Sequence, residues 1–200
     1  LYYDDVNQVS LAIKYTFGRD EELISNALLK SGCDVLRVRG LGLLNSRYLY
    51  IMEQAEGDLI SLFNNLKKPV SKNFVLNIAE QVRRQILCIG RLHSSFLYAD
   101  VKLQNVLYKC DDPANLNGIR VFLGDLGSAV PNSYENGNPI YPTTYLPLPN
   151  KLLVRNNNKK DKLDWISWQL GALLLQMSKY LYINPDQVLK LTNLSNSIYW

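Results

Sequence analysis

The chain has 200 residues, 47% of them hydrophobic and 20% charged, enough for one compact unit with its own core, so that no second domain is required. A formal charge of +4, with Lys and Arg spread along the sequence, excludes the basic stripe of a nucleic-acid interface. No apolar run reaches the roughly 18 residues of a membrane span, the nearest being Leu170 to Met177, so a soluble protein is expected.

In chain order, Leu1-Tyr2-Tyr3, a polar DDVNQ and Leu11 to Tyr15 read as two strands joined by a turn. No basic start followed by an apolar core precedes them, so no signal peptide is expected. Asp20 to Lys30 reads as a short helix: Asp20 stands as its N-cap, Glu21 and Glu22 fall in the first turn, and Leu23, Ile24, Ala27 and Leu28 recur at helical spacing. Val35 to Leu44 and Tyr48 to Glu53 give two more strands around a turn at Asn45 and Ser46.

From Leu59 the period changes. Ser71 is placed as an N-cap, and Phe74, Val75, Ile78, Ala79, Val82, Ile86, Leu87, Ile89 and Leu92 trace one face of a long helix. Short strands at Val106 to Tyr108 and Val121 to Leu123 flank the turn-rich DDPANLNG, and Pro131 to Asn150 is rich in Pro and Asn. Arg155 to Lys162 reads as a solvated loop or as a surface for an acidic partner. Trp165 to Leu181 reads as an apolar helix buried on most sides. Strands followed by helices predict an α+β fold in two unequal parts. Cys33, Cys88 and Cys110 are odd in number and widely separated, which predicts thiols in a reducing compartment rather than a disulfide framework.

The chemistry-bearing residues come at the junctions of these elements. After the long helix stands Tyr98-Ala99-Asp100-Val101-Lys102-Leu103-Gln104-Asn105, in which the Asp, Lys and Asn keep the register of the protein-kinase catalytic loop. Val121 to Leu123 followed by Gly124-Asp125-Leu126-Gly127 resembles that family's strand and Asp-Phe-Gly, and Leu11-Ala12-Ile13-Lys14 resembles its Val-Ala-Ile-Lys. Tyr50 to Leu59 resembles the segment joining the kinase lobes, and Lys162 to Trp168 the start of the central helix, where Asp164 would hold the catalytic-loop backbone or cap the helix.

The resemblance to protein kinases covers Leu1 to about Leu181. It implies a bilobal fold: residues 1–53 as a partial N-lobe, a small antiparallel sheet with one helix, and residues 54–200 as a partial, larger and mainly helical C-lobe. It implies ATP and Mg²⁺ as cofactors and Ser/Thr hydroxyls of a protein substrate as acceptors, Lys102 two residues after Asp100 favouring Ser/Thr over Tyr. Asp100 would be the base, Lys102 would steady the phosphate, Asn105 and Asp125 would hold the metal, and Gly127 would allow a sharp turn after Asp125.

Lys14 would hold the α- and β-phosphates with a helix carboxylate, and Glu22 is preferred to Glu21 by counting back from Val35. Met52 would line the back of the pocket, with Glu53 and Ala55 offering main-chain contacts to adenine. His93 takes a structural position at the end of the long helix. The family's glycine-rich loop has no counterpart, Ala99 replaces an Arg that serves phosphate-dependent regulation, and the closing Ala-Pro-Glu lacks its glutamate. These departures support an alternative, a pseudokinase that binds and regulates a kinase or another regulatory partner; a small-molecule kinase of the aminoglycoside type usually lacks the Lys. An intracellular location, cytoplasmic or nuclear, is expected, and short loops with many Asn and Tyr suggest a compact, divergent kinase of the kind found in large DNA viruses.

Overall fold

Alternating patterning in the first quarter of the chain produces a four-stranded antiparallel sheet, ordered β1-β2-β4-β3, from β1 (Tyr2–Asp4), β2 (Val9–Thr16), β3 (Val38–Leu44) and β4 (Arg47–Glu53). The computed structural model describes residues 2–4, 9–16, 20–92, 96–98, 100–110, 116–131 and 159–181. Asn45 and Ser46, with φ of 50° and 62°, form the two-residue turn between β3 and β4, the left-handed pair that matches strand twist. The register sets Lys14 opposite Tyr50 and Ala12 opposite Met52.

Between β2 and β3 runs α1 (Asp20–Lys30). It ends in a Schellman arrangement: Gly32 has φ 73°, its N–H donates to Leu29 O at 3.0 Å, and the Cys33 N–H donates to Leu28 O at 2.9 Å. That turn drives Cys33 into the interior. Val35 and Leu36, expected to open a strand, are buried ahead of it, and the Leu36 carbonyl accepts from Ser25 Oγ at 3.4 Å; β3 therefore starts at Val38.

Three α-helices and further short strands follow among the described residues. A short β5 (Gly57–Asp58) leads into α2 (Leu59–Asn65), capped by the Asp58 carboxylate, which accepts from Ser61 N at 2.7 Å. The long α3 (Lys72–Leu92) starts at Ser71, whose Oγ accepts from Phe74 N at 3.2 Å as the sequence predicts. Its inward stripe, Val75, Ile78, Ala79, Val82, Ile86 and Ile89, is buried, at about 1.5 to 3 kcal/mol for each large side chain.

Beyond α3 come β6 (Phe96–Tyr98), β7 (Val106–Lys109), β8 (Arg120–Leu123) and β9 (Ala129–Pro131), pairing as a β5-β7-β8 sheet and a β6-β9 ribbon. The last described helix, α4, runs from Lys159 to Ser178, starting before the expected Trp165. It buries one side, with Ile166, Gln169, Ala172, Leu173 and Met177 inward and Leu175 exposed, instead of being enclosed on most sides. Tyr180 then stacks on Phe63 at 4.7 Å between ring centroids and accepts the Val70 N–H, fastening the end of α4 to α2 and the start of α3.

The fold is α+β, with small antiparallel sheets and four helices among the described residues. Cys33 and Cys88 are joined by a disulfide, with Cα atoms 6.0 Å apart, and only Cys110 remains a thiol. This corrects the expectation of three unpaired cysteines: a sequence separation of 55 hides a juxtaposition made by packing α1 on α3. Among the described residues no helix is long and apolar enough to cross a membrane.

Candidate functional site

A cavity of about 220 Å³ opens between the four-stranded sheet, α1 and the β7–β8 hairpin. Leu36, Val38, Met52, Leu107, Leu123 and Leu126 give it apolar walls, and Lys14, Glu21, Ser25, Gln104, Asn105 and Asp125 line the rest. Many apolar walls with a few convergent polar groups are the usual make-up of a small-molecule site.

Lys14 lies at the centre of the polar set. Strand alternation puts Ala12 and Lys14 on one face of β2, and the Lys14 Nζ lies 2.7 Å from Glu21 Oε2 and 2.8 Å from Asp125 Oδ1. Burial at the cavity wall works to lower the Lys14 pKa, but hydrogen bonds to Asp125 and Glu21 outweigh it and raise it. The carboxylate that meets Lys14 is thus Glu21 and not the expected Glu22, which instead accepts from Asn26 Nδ2 at 2.9 Å. The inward stripe of α1 runs through Glu21, Ser25 and Leu28, all buried, while Leu23, counted in the expected apolar face, is 56% exposed. The signal available in the sequence is the i, i+4, i+7 relation to Leu28; centring the stripe on Leu23 and Ile24 rotates the helix by one residue.

Asp125 stands two residues past the end of β8, after Gly124, and has φ 48°, a left-handed conformation uncommon for a residue with a side chain. The turn was expected to use Gly127; it is taken at Asp125 itself, and Gly127 lies in the 3₁₀ turn Leu126–Ser128 with φ outside the left-handed region. The preceding glycine is held on both sides: its N–H donates to Asn105 O at 2.7 Å, and its carbonyl accepts from the Tyr98 hydroxyl at 2.6 Å. Tyr98 is fully buried, and burial, reinforced by the charges of Asp125 and Asp100, pushes its phenol pKa up.

The second group of expected residues meets around Asp100. Its Oδ2 lies 2.6 Å from Lys102 Nζ and accepts from Asn105 Nδ2 at 2.7 Å, and Asn105 Nδ2 also donates to Asp100 O at 3.0 Å. With its nitrogen committed to Asp100, the Asn105 side chain lines the cavity wall. The loop is braced from α4: Gln169 Nε2 donates to Tyr98 O at 2.8 Å, and its Oε1 accepts from Val101 N at 3.2 Å. The residue expected in that role, Asp164, has a side chain outside the described residues, as do His93 and Ala99 entirely.

Met52 lines the cavity as expected, whereas Glu53 and Ala55 lie past its lining. The Glu53 carboxylate bridges two other elements: Oε1 to Arg39 at 2.7 Å and Oε2 to Lys109 at 3.3 Å. Burial works to raise its pKa, yet the Arg39 and Lys109 cations hold it below the ordinary carboxylate value.

Among the described residues no group of three or more His, Cys, Asp or Glu side chains could hold a metal ion, and the cavity instead offers the Asp125 carboxylate and the Asn105 amide. Mg²⁺ commonly takes one or two protein carboxylates and completes its shell with phosphate and water. Gln104 Oε1 is buried at the same wall with no hydrogen-bond partner among the described residues. No family model matches the chain, and no curated protein matches it.

Proposed function

We propose that the cavity binds Mg·ATP and that the chain transfers the γ-phosphoryl group to Ser or Thr hydroxyls of a protein substrate, as a divergent, bilobal protein-kinase-like domain. The observation that carries this reading is the convergence of Lys14, Glu21, Asn105 and Asp125 on one cavity, with Asp100 tied to Asn105 at its edge. Those groups come from β2, α1, the loop before β7 and the end of β8, as phosphoryl transfer by positioning and electrostatics requires.

Each residue then has a task. Lys14, oriented by Glu21, neutralises phosphate charge, and Asp125 and Asn105 hold Mg²⁺, which supplies charge neutralisation at the phosphates when bound. Asp100 accepts the proton of the attacking hydroxyl as its oxygen bonds to the γ-phosphorus and the bond to the β–γ bridging oxygen breaks, releasing ADP. Lys102, 2.6 Å from Asp100, steadies charge on the transferring group. The apolar walls at Val38, Met52 and Leu107 suit the faces of a purine.

The test is incubation of the protein with γ-labelled ATP, Mg²⁺ and a basic protein substrate, beside Asp125→Asn. Transfer that disappears in the variant supports the reading. Absence of transfer together with absence of thermal stabilisation by Mg·ATP overturns it.

A further inference from the structure

Strand β8 is the edge of its sheet among the described residues, paired with β7, yet its outward Val121 N–H, Val121 carbonyl and Leu123 N–H are satisfied. Two side chains of α3 do this. Gln81 Nε2 donates to Ile119 O at 3.0 Å while its Oε1 accepts from Val121 N at 3.0 Å. Gln85 Nε2 donates to Val121 O while its Oε1 accepts from Leu123 N at 2.7 Å. Each carboxamide thus bridges the carbonyl of one residue and the N–H two residues on, as the N–H and C=O of one residue in a neighbouring parallel strand would.

The match is geometric. Residues four apart on a helix are separated by about 6 Å along its axis, and residues two apart on a strand by about 6.6 Å, so successive carboxamides meet successive strand repeats. The next residue in that helical series is Ile89, buried and without an amide, so the substitute ladder stops at Leu123. There the chain leaves the strand for Gly124 and the left-handed Asp125.

We propose that Gln85, supported by Gln81, is a positioning residue for Asp125: the carboxamide pair fixes the register in which β8 delivers Asp125 to Lys14 and to a nucleotide-bound cation. This rests on the reading of the cavity as a Mg·nucleotide site. Gln85 is itself buried and lies outside the cavity lining, so its influence passes through the Leu123 N–H rather than through contact with a ligand.

The experiment compares Gln85→Met, which keeps length and removes both hydrogen bonds, with Ile78→Val as a destabilised control in the same helix. Nucleotide affinity is measured with and without Mg²⁺, and amide hydrogen exchange is followed in ligand-free protein. Gln85→Met is expected to lower the Mg²⁺-dependent gain in affinity about tenfold, as loss of an outer partner of a metal ligand does, with Mg²⁺-free affinity held within about twofold. Exchange should speed up at Leu123 to Gly127 and stay as in wild type at Val106 to Lys109. Equal losses with and without Mg²⁺, as in the control, or unchanged exchange at Leu123 to Gly127, would overturn the proposal. If wild type binds no Mg·nucleotide, the reading of the cavity fails, and the exchange comparison alone decides whether Gln85 sets the Asp125 segment.

Discussion

Lys14 and Asp125, 111 residues apart in sequence, meet at 2.8 Å, and Glu21 meets the same ammonium at 2.7 Å. A strand, a helix and a post-strand turn therefore share one charge. If Lys14 is oriented by Glu21, then Glu21→Gln should lower phosphoryl transfer by roughly tenfold to a hundredfold through misplacement of the ammonium. Glu22→Gln, at a carboxylate that accepts from Asn26 within the same helix and lies outside the cavity lining, should leave the rate within about twofold. Steady-state rates for the two variants check this, and a larger effect at Glu22 would refute the assignment.

The disulfide has a direct readout. Protein unfolded without reductant should titrate one thiol, Cys110, and three after reduction. Closing a loop across 55 residues contributes on the order of 4 kcal/mol in the chain-entropy account. Reduction, or Cys88→Ser, should lower the midpoint of thermal unfolding by many degrees. Three thiols in the unreduced protein would contradict the pairing.

Glu53 predicts a pH dependence. Its folded pKa lies below the ordinary 4.5, so the bridge to Arg39 and Lys109 stabilises the fold above that value and its contribution is lost as pH falls through the folded pKa. The stability difference between wild type and Glu53→Gln should thus shrink on acidification from about pH 5 to pH 3, from a starting size of about 1 kcal/mol. Denaturant unfolding at several pH values tests it; a difference that grows on acidification would show the sign to be wrong.

Gly124 has little room. A Cβ there would stand 3.1 Å from the Leu107 side chain and 3.3 Å from the Asn105 carbonyl oxygen, the acceptor of its own N–H. Gly124→Ala should cost about 1 to 3 kcal/mol by overpacking and should weaken nucleotide binding by shifting the start of the Asp125 turn. Unfolding and nucleotide titration measure both effects, and a neutral variant would show that Leu107 yields easily.

The elements were legible where the pattern is local. Alternation around Lys14, the stripe of α3 and the Ser71 cap are all written in neighbouring residues, and the structure carries them. So is the cluster of Asp100, Lys102 and Asn105, whose mutual contacts lie within a span of six residues. What sequence reasoning missed depends on rotation or long-range packing. Glu21 and Glu22 differ only in which stripe of α1 turns inward, and the mark of that choice is the Glu21, Ser25, Leu28 spacing rather than anything in the two carboxylates themselves. The Cys33–Cys88 bond and the Gln81 and Gln85 contacts to β8 join residues 36 or more positions apart, and glutamine on a helix ordinarily reads as surface.

The shared ammonium also sets the electrostatic character of the cavity wall. Two carboxylates, Glu21 and Asp125, face the single cation of Lys14, so this trio carries a net formal charge of −1. An uncomplexed polyanion approaching it meets repulsion from Asp125 as well as attraction from Lys14, whereas one that arrives already paired with a divalent ion presents a positive face to the carboxylate. The wall thereby discriminates by ionic state before shape is tested, and on the proposed reading of the cavity it would favour the metal complex of a nucleotide over the free species.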